Sequence, residues 1–580
     1  MNSFKKKGMN WMINFLMKAL KDMRTKYILT LLVLIGGQLT MSAQQETGEQ
    51  VKSVEIRVVE DYKAQVRSAH KISEQPSFED TTSAKLSVNV RIQPKAMILE
   101  FTPEPIPSIR LGRVKLPKLP TQKVSLGGGN YAGTYASFVL SSPRSKKNVW
   151  GVRALHEGTL SGVDGVDYAS QPAYDNEVLA DFQRATKNWN FKTQSLLKAD
   201  YVSFYGANSV LTNPLDSVPG VWQQQYGVSQ QWLRTSNPTS KVSAMYRSGG
   251  AVYNFTHAGL NTFEHLVKTA HKFELYADDK TVFLDLGYQF SDYNGWAQDS
   301  GSSQYHNFSI SPITSGKNGI LTYEFGLNFS GTQSNRLDSN SFEFYVFPRI
   351  NLQAELLRRT LAIYGGWDGL VEQNTLQSLV SNSPFLSMNQ ELRLSGQNRG
   401  YVGMQGALVG KLQYRVEGAM TFINDAVVFT RDSTQELVSV GDAQLAALQV
   451  GYANNVVQTS VRGELNIPLK SFTGSVYAQL NAFSGDDYIG KEGRVLGAMI
   501  SYRLNELSVT SNLKYAGGRS MENGYSLDDY TDWSATIHYE INTNLSVSLR
   551  GYNLLNQRYQ MWEGYYVRGA RGLFILNYQF

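Results

Sequence analysis

The chain has 580 residues, a formal net charge of +6, no cysteine, 33 tyrosines, 26 phenylalanines and 50 glycines, with a mean hydropathy of −0.30. The absence of cysteine excludes disulfides, thiolate metal sites, thiol nucleophiles and a lipidated N-terminal cysteine. The positive charge resides in residues 1–26, where Lys5, Lys6, Lys7, Lys18, Lys21, Arg24 and Lys26 stand against Asp22 alone, so the remainder is neutral and nothing in it calls for nucleic acid.

The first element is a leader. Met23-Arg-Thr-Lys26 forms a basic head, and Tyr27 to Leu39 is an apolar run too short for the roughly 20 residues that span a bilayer as a helix. Ser42-Ala43 then supplies small residues, which predicts a secretory signal peptide from about residue 23, cleaved near Ala43. Residues 1–43 are therefore leader, and residues 1–22 fit an upstream start codon better than a functional extension. The rest of the chain is exported.

Residues 44–121 hold seven of the 16 prolines, at positions 76, 94, 103, 105, 107, 117 and 120. Clustered proline removes backbone donors and favours extended chain, so this reads as a stiff periplasmic segment. Val54 to Glu60 and Ala84 to Ile92 alternate enough to pair as a small hairpin. Arg110, Arg113, Lys115, Lys118 and Lys123 form a basic cluster at its end. They are a solvated linker, or they meet anionic headgroups or a partner protein.

From residue 122 to 580 apolar residues recur at every second position. Gly127 to Gly133 looks like a phosphate loop, but Thr134 to Ser142 continues as a strand and nothing helical follows, so a glycine-rich hairpin is expected. Val457, Thr459, Val461, Leu465 and Ile467 oppose Gln458, Ser460, Arg462, Glu464 and Asn466; Trp533, Ala535, Ile537, Tyr539 and Ile541 oppose Asp532, Ser534, Thr536, His538 and Glu540. A period of 2 is a strand and not a helix. Tight turns at Pro468–Lys470, Leu504–Glu506 and Asn542–Asn544 alternate with longer links at Ser484–Lys491, Ala516–Tyr530 and Leu554–Arg568. The last segment, Arg571 to Phe580, puts Phe574, Leu576, Tyr578 and Phe580 on one face and Arg571, Asn577 and Gln579 with Leu573 and Ile575 on the other. One face suits lipid and the other a lumen; the alternative is the buried last strand of a soluble sandwich.

Outer-membrane barrels have short periplasmic turns and long outer loops, which sets the last strand descending to a periplasmic Phe580 and demands an even strand count. The expected fold is all-β: a transmembrane antiparallel β-barrel over 122–580 of about 22 strands, within a range of about 20 to 24. The pattern is blurred at Ser240–Leu275, at Pro348 and at Leu370–Ser395.

Asn553-Leu-Leu-Asn-Gln-Arg-Tyr559, Trp562-Glu-Gly-Tyr565, Arg568-Gly-Ala-Arg-Gly572 and the closing strand ending in Phe580 resemble the C-terminal end of TonB-dependent receptor barrels. The segment with Val58-Val59, Tyr62, Ala69, Lys71-Ile72 and Pro76 is similar to that of receptor-like barrels of the Bacteroidota that lack a recognisable plug domain. The resemblance implies a 22-stranded barrel in the Gram-negative outer membrane with its N-terminal segment in the periplasm. It also implies that the assembly machinery reads the terminal aromatic strand. Residues 45–121 are too few and too proline-rich for the usual plug, so import driven by TonB is not expected. Val163-Asp-Gly-Val166 echoes a plug motif of SusC-like receptors but follows the first strands, and is read as loop.

No catalytic, metal or cofactor constellation emerges. His265 and His271 would share a strand face about 20 Å apart, too far to ligate one metal. Asp486-Asp487 and Asp528-Asp529 lack alternating oxygen ligands for calcium. No Gly-x-Ser-x-Gly elbow occurs. Trp296, Tyr488, Tyr525, Tyr530, Trp562, Tyr565 and Tyr566 either pack in loops and girdles or contact sugars or a partner. The chain is read as a passive or gated transporter or porin for small solutes, not an enzyme. The alternative is a scaffold or accessory subunit of an envelope complex, with membrane lipid and the assembly machinery as partners in either case. A wide barrel leaks unless filled. The linker could do this by bringing Arg110 to Lys123 against lumen acids such as Glu464 and Glu540; inward loops or a partner are the other candidates.

Overall fold

The computed structural model describes residues 121–580 except 144, 164–169, 207–219, 236–243, 259–261, 278–279, 296–302, 336–339, 387–391, 409–410, 431–437, 441–442, 446–447, 485–490 and 521–525. The leader, the periplasmic hairpin, the proline cluster and the basic residues Arg110, Arg113, Lys115 and Lys118 lie outside the described residues.

Twenty-two antiparallel strands form one closed sheet. Each pairs with its sequence neighbour, and closure comes from the first strand, Gln122–Gly129, which pairs with the last, Arg571–Gln579, from Lys123↔Gln579 to Gly129↔Leu573. Lys123 thus sits within the wall. The glycine-rich stretch belongs to this seam: a Cβ on Gly127 would come within 2.6 Å of the Phe574 carbonyl, and one on Gly129 within 1.9 Å of the Gly572 carbonyl. Only glycine lets the two backbones approach so closely. The first hairpin turns at Asn130–Ala132, with Tyr131 and Ala132 at positive φ. Asn130 Oδ1 accepts the Gly572 N–H at 2.8 Å, and its Nδ2 donates to the Ala570 carbonyl at 2.8 Å.

The alternation expected from the sequence is the inside–outside alternation of the wall. Phe574 and Phe580 are 57% and 60% exposed, and Leu576 and Tyr578 share their outward face, whereas Leu573 and Ile575 are 0% and 1% exposed on the inner side. Outward residues meet across strands, as in Leu126↔Leu576, Leu549↔Phe574, Ile537↔Leu549 and Val461↔Leu480, giving a continuous apolar belt. The inner face is polar and its charges are largely matched: Arg571–Glu157 at 2.5 Å, Arg349–Glu324 at 2.8 Å, Arg415–Glu417 at 3.0 Å. Glu464 and Glu540 already have partners, Arg462 at 3.5 Å and Arg503 at 3.6 Å.

At the end that holds Gln122 and Phe580, strands join by tight links such as Asn318 to Leu321, Leu504 to Leu507 and Glu540 to Leu545. The long links are at the other end: Ser203 to Gly220, Gln373 to Leu394, Asn424 to Val456 and Tyr552 to Arg571. The blurred stretches resolve as follows. Ala244–Ala258 and Phe263–Ala277 form an antiparallel hairpin whose register shifts once, between Tyr246 and Ser248. Pro348 lies in Asn340–Leu357, whose ladder with Leu361–Gln373 runs only from Ile350↔Trp367 to Leu357↔Leu361. Pro348 thus has a ladder partner on one side only, Leu327 in Leu321–Asn335, as proline in a sheet usually does. The Leu370–Ser395 stretch contains a helix, Leu376–Asn382, that strand periodicity could not anticipate.

Candidate functional site

The site is the outer mouth of the barrel, where the long links turn inward and pack on one another. A buried apolar cluster takes Val163 from one link, Phe204 and Tyr205 from the next, Leu376, Leu379, Leu386 and Leu392 from the helical link, Phe429 and Leu448 from the following one, and Tyr565 from the last. It rests on inward wall residues Val221, Ala258, Tyr293 and Tyr305. The aromatic hub is Phe385. Its ring stacks on Tyr565 at 3.8 Å and 17°, with Tyr205 at 5.8 Å and Phe204 at 6.3 Å, and Trp562 packs edge-on to Phe429 at 4.9 Å.

Geometry shows that this cluster crosses the lumen. Strands about 4.8 Å apart and tilted by about 40° give a 22-stranded ring a diameter of roughly 44 Å. Phe385 follows the thirteenth strand of the ring and Tyr565 precedes the twenty-second, so their links leave the wall eight strands apart, about 130° around the ring. Their ring contact is possible only if both links reach inward across the mouth.

Local sequence explains the helical link. Thr375 caps the helix: its Oγ1 accepts the Ser378 N–H at 3.1 Å, while Ser378 Oγ accepts the Thr375 N–H at 3.0 Å. Leu376, Leu379 and Val380 then share one face directed into the cluster. The Thr-x-x-Ser spacing followed by Leu-x-x-Leu-Val was the legible signal for this element. The wall grips it at several heights. Asn254 Nδ2 donates to Gln377 Oε1 at 2.9 Å, Gln223 Nε2 to the Pro384 carbonyl at 2.7 Å, and the Tyr305 hydroxyl to the Leu392 carbonyl. Glu264, 1% exposed, receives the Ser291 hydroxyl at 2.6 Å and faces the backbone N–H groups of Leu376 and Gln377, donors that no helical carbonyl can satisfy.

The other links are fastened in the same way. The Tyr205 hydroxyl donates to the Tyr566 carbonyl at 2.8 Å, and burial pushes its pKa up to about 12. Arg568 donates through Nε to the Ser161 carbonyl at 3.1 Å and through Nη2 to the Gln171 carbonyl, and burial draws its guanidinium below the usual arginine range. The Leu448 N–H donates to the Phe385 carbonyl at 2.8 Å, next to a backbone bridge between Leu386 and Leu448.

Of the aromatics singled out by sequence, Trp562, Tyr565 and Tyr566 pack in this cap and Tyr530 stacks on Tyr559 at 4.1 Å, while Trp296, Tyr488 and Tyr525 lie outside the described residues. Val163 lies in a link, as read. Asp529 is engaged by Arg494 at 3.1 Å and by the Gly518 N–H at 3.0 Å, and Asp486 and Asp487 lie outside the described residues. Among the described residues no group of three or more His, Cys, Asp or Glu is placed to hold a metal. His265 and His271 stay apart on their strand, each bonded to a tyrosine, Tyr253 at 2.9 Å and Tyr246 at 3.0 Å. Phe385, the hub, and Glu264 had no sequence signal, because nothing along the chain shows which link crosses the mouth.

No family model and no curated protein matches the sequence. Solved structures do match. The FrpB iron transporter from Neisseria meningitidis (F5-1 variant) aligns with a TM-score of 0.60 and 9% identity over 80% of this chain and 83% of its own. The siderophore receptor PirA from Acinetobacter baumannii gives 0.56 and 11% over 80% and 81%, and the ferric-catecholate import receptor Fiu from K12 E. coli gives 0.55 and 10% over 80% and 82%. The fold is that of a TonB-dependent receptor barrel. At these identities the likeness is one of architecture, an outer-membrane barrel of 22 strands. The barrel carries at its mouth a cap made of its own links.

Proposed function

We propose that this protein is a gated transporter for small solutes in the outer membrane, closed at its outer mouth by its own loops. The observation that carries this reading is the Phe385–Tyr565 contact at the centre of a cluster drawn from links that leave the wall far apart around the ring. A wide polar-lined lumen offers a path for solutes, and an apolar plate across it blocks them until it moves. The solved barrels of this form are named as an iron transporter and as siderophore and ferric-catecholate receptors, which supports transport as the task.

The test uses the cysteine-free background. Leu386 and Leu448 pair across a backbone bridge between two different links, and both are buried. A Leu386→Cys, Leu448→Cys double variant should form a disulfide that holds the cap shut. In planar bilayers, its channel openings should be rarer than those of the unmodified chain under oxidising conditions and return on adding reductant. Openings insensitive to the cross-link would reject gating by these links.

A further inference from the structure

Beside the aromatic hub, the lumen wall built from Val456–Pro468, Phe472–Ser484, Arg494–Leu504 and Leu507–Gly517 holds a recess of about 510 Å³ beneath the outer links. Its charge is lopsided. Arg462, Lys491, Lys514 and Arg519 line it, against Glu492 alone within the lining and Glu464 just outside. Lys514 is matched by Glu492 at 2.7 Å, and Arg462 by Glu464 at 3.5 Å while its guanidinium lies 4.8 Å over the Tyr477 ring.

The remaining two cations have no carboxylate. Arg519 is 2% exposed; its Nη1 donates to the carbonyls of Gln560 at 2.8 Å and Met561 at 3.2 Å, its Nη2 to that of Asp528 at 2.7 Å, and its Nε–H meets no acceptor. Lys491 makes no ion pair among the described residues. Burial lowers the pKa of both groups, Lys491 and Arg519 alike, against the opposing pull of Glu492. A buried and a partly buried cation that form no ion pair of their own favour the entry of an anion beside them. Trp562 and Tyr477 add flat apolar walls to the same recess. Its volume is that of a small-molecule pocket and too small for a polymer.

We propose that this recess binds a small organic anion bearing carboxylate or phosphate groups, held by Lys491 with Arg462 and Arg519 on its way through the lumen. The role as a waypoint rests on the transporter reading; the binding itself does not. The experiment measures equilibrium binding of radiolabelled citrate, glucose 6-phosphate and glucose to the purified full-length barrel in detergent. Saturable binding of citrate or of glucose 6-phosphate, weakened at least tenfold in Lys491→Gln and with no comparable binding of glucose, supports the site, and the better of the two anions tells carboxylate from phosphate. Lys491→Gln removes no hydrogen bond of the fold, and Arg462→Gln serves as a second variant should the first assemble poorly. Absence of saturable anion binding, equal binding of glucose, or anion affinity unchanged in both variants overturns the proposal. A cap that still gates conductance in that case leaves the transporter reading standing.

Discussion

Removing the hub ring isolates the force that closes the mouth. Phe385 is half-buried, stacked on Tyr565 at 3.8 Å and flanked by Tyr205 at 5.8 Å. A fully buried Phe→Ala change costs about 3 to 5 kcal/mol. Partial exposure reduces that, and aromatic pairing restores about 0.5 to 1.5 kcal/mol of it, so about 2 to 3 kcal/mol of closed-state stability should vanish in Phe385→Ala. Because the barrel ladders do not involve this residue, the loss falls on the closed–open equilibrium. At about 1.4 kcal/mol per factor of ten, the open-to-closed ratio should rise roughly 30- to 160-fold. Single-channel recording in planar bilayers reads this directly as open probability, with heat-modifiable migration on gels confirming a folded barrel. A folded Phe385→Ala protein with unchanged open probability would refute the idea that this cluster is the gate.

Replacing Tyr578 and Phe580 together with Asp should abolish assembled barrel in outer-membrane fractions, since each aromatic forfeits about 1.5 to 3 kcal/mol of apolar burial in lipid and a carboxylate there adds more; normal levels would contradict it. The Tyr205 pKa of about 12 lies above its ordinary value, so the closed cap keeps its full contribution from Tyr205 below pH 10 and loses it as pH rises from 10 towards 12. Open probability should therefore climb over that window, and Tyr205→Phe should remove the Tyr205 part of the climb; a profile identical in the variant would discount the residue. If the outer links alone hold the closed state, a chain lacking Gln45 to Pro120 should show the same basal conductance in bilayers as the full chain, and a large rise would assign closure to that segment instead.

Period-2 alternation determined the sheet and the outward set Phe574, Leu576, Tyr578 and Phe580, which follow from side chains that must face either lipid or a polar lumen; it bounded the strand number only at about 20 to 24, and the expected 22 also drew on link lengths and on the resemblance. Tight and long links in alternation determined which end carries the loops. These features are legible because they depend on near neighbours in sequence. The short helix was half-legible, since a capping pair and a Leu-x-x-Leu-Val face are also local. What only the tertiary structure decided is what the links do. Phe385 meets Tyr565 and Glu264 meets the start of Leu376–Asn382 only because the closed ring brings distant links over one lumen, and Lys491 joins Arg519 and Arg462 through the pairing of neighbouring strands and the inward course of their links. A link's inward or outward course depends on packing against segments hundreds of residues away, and neither periodicity nor composition carries that information.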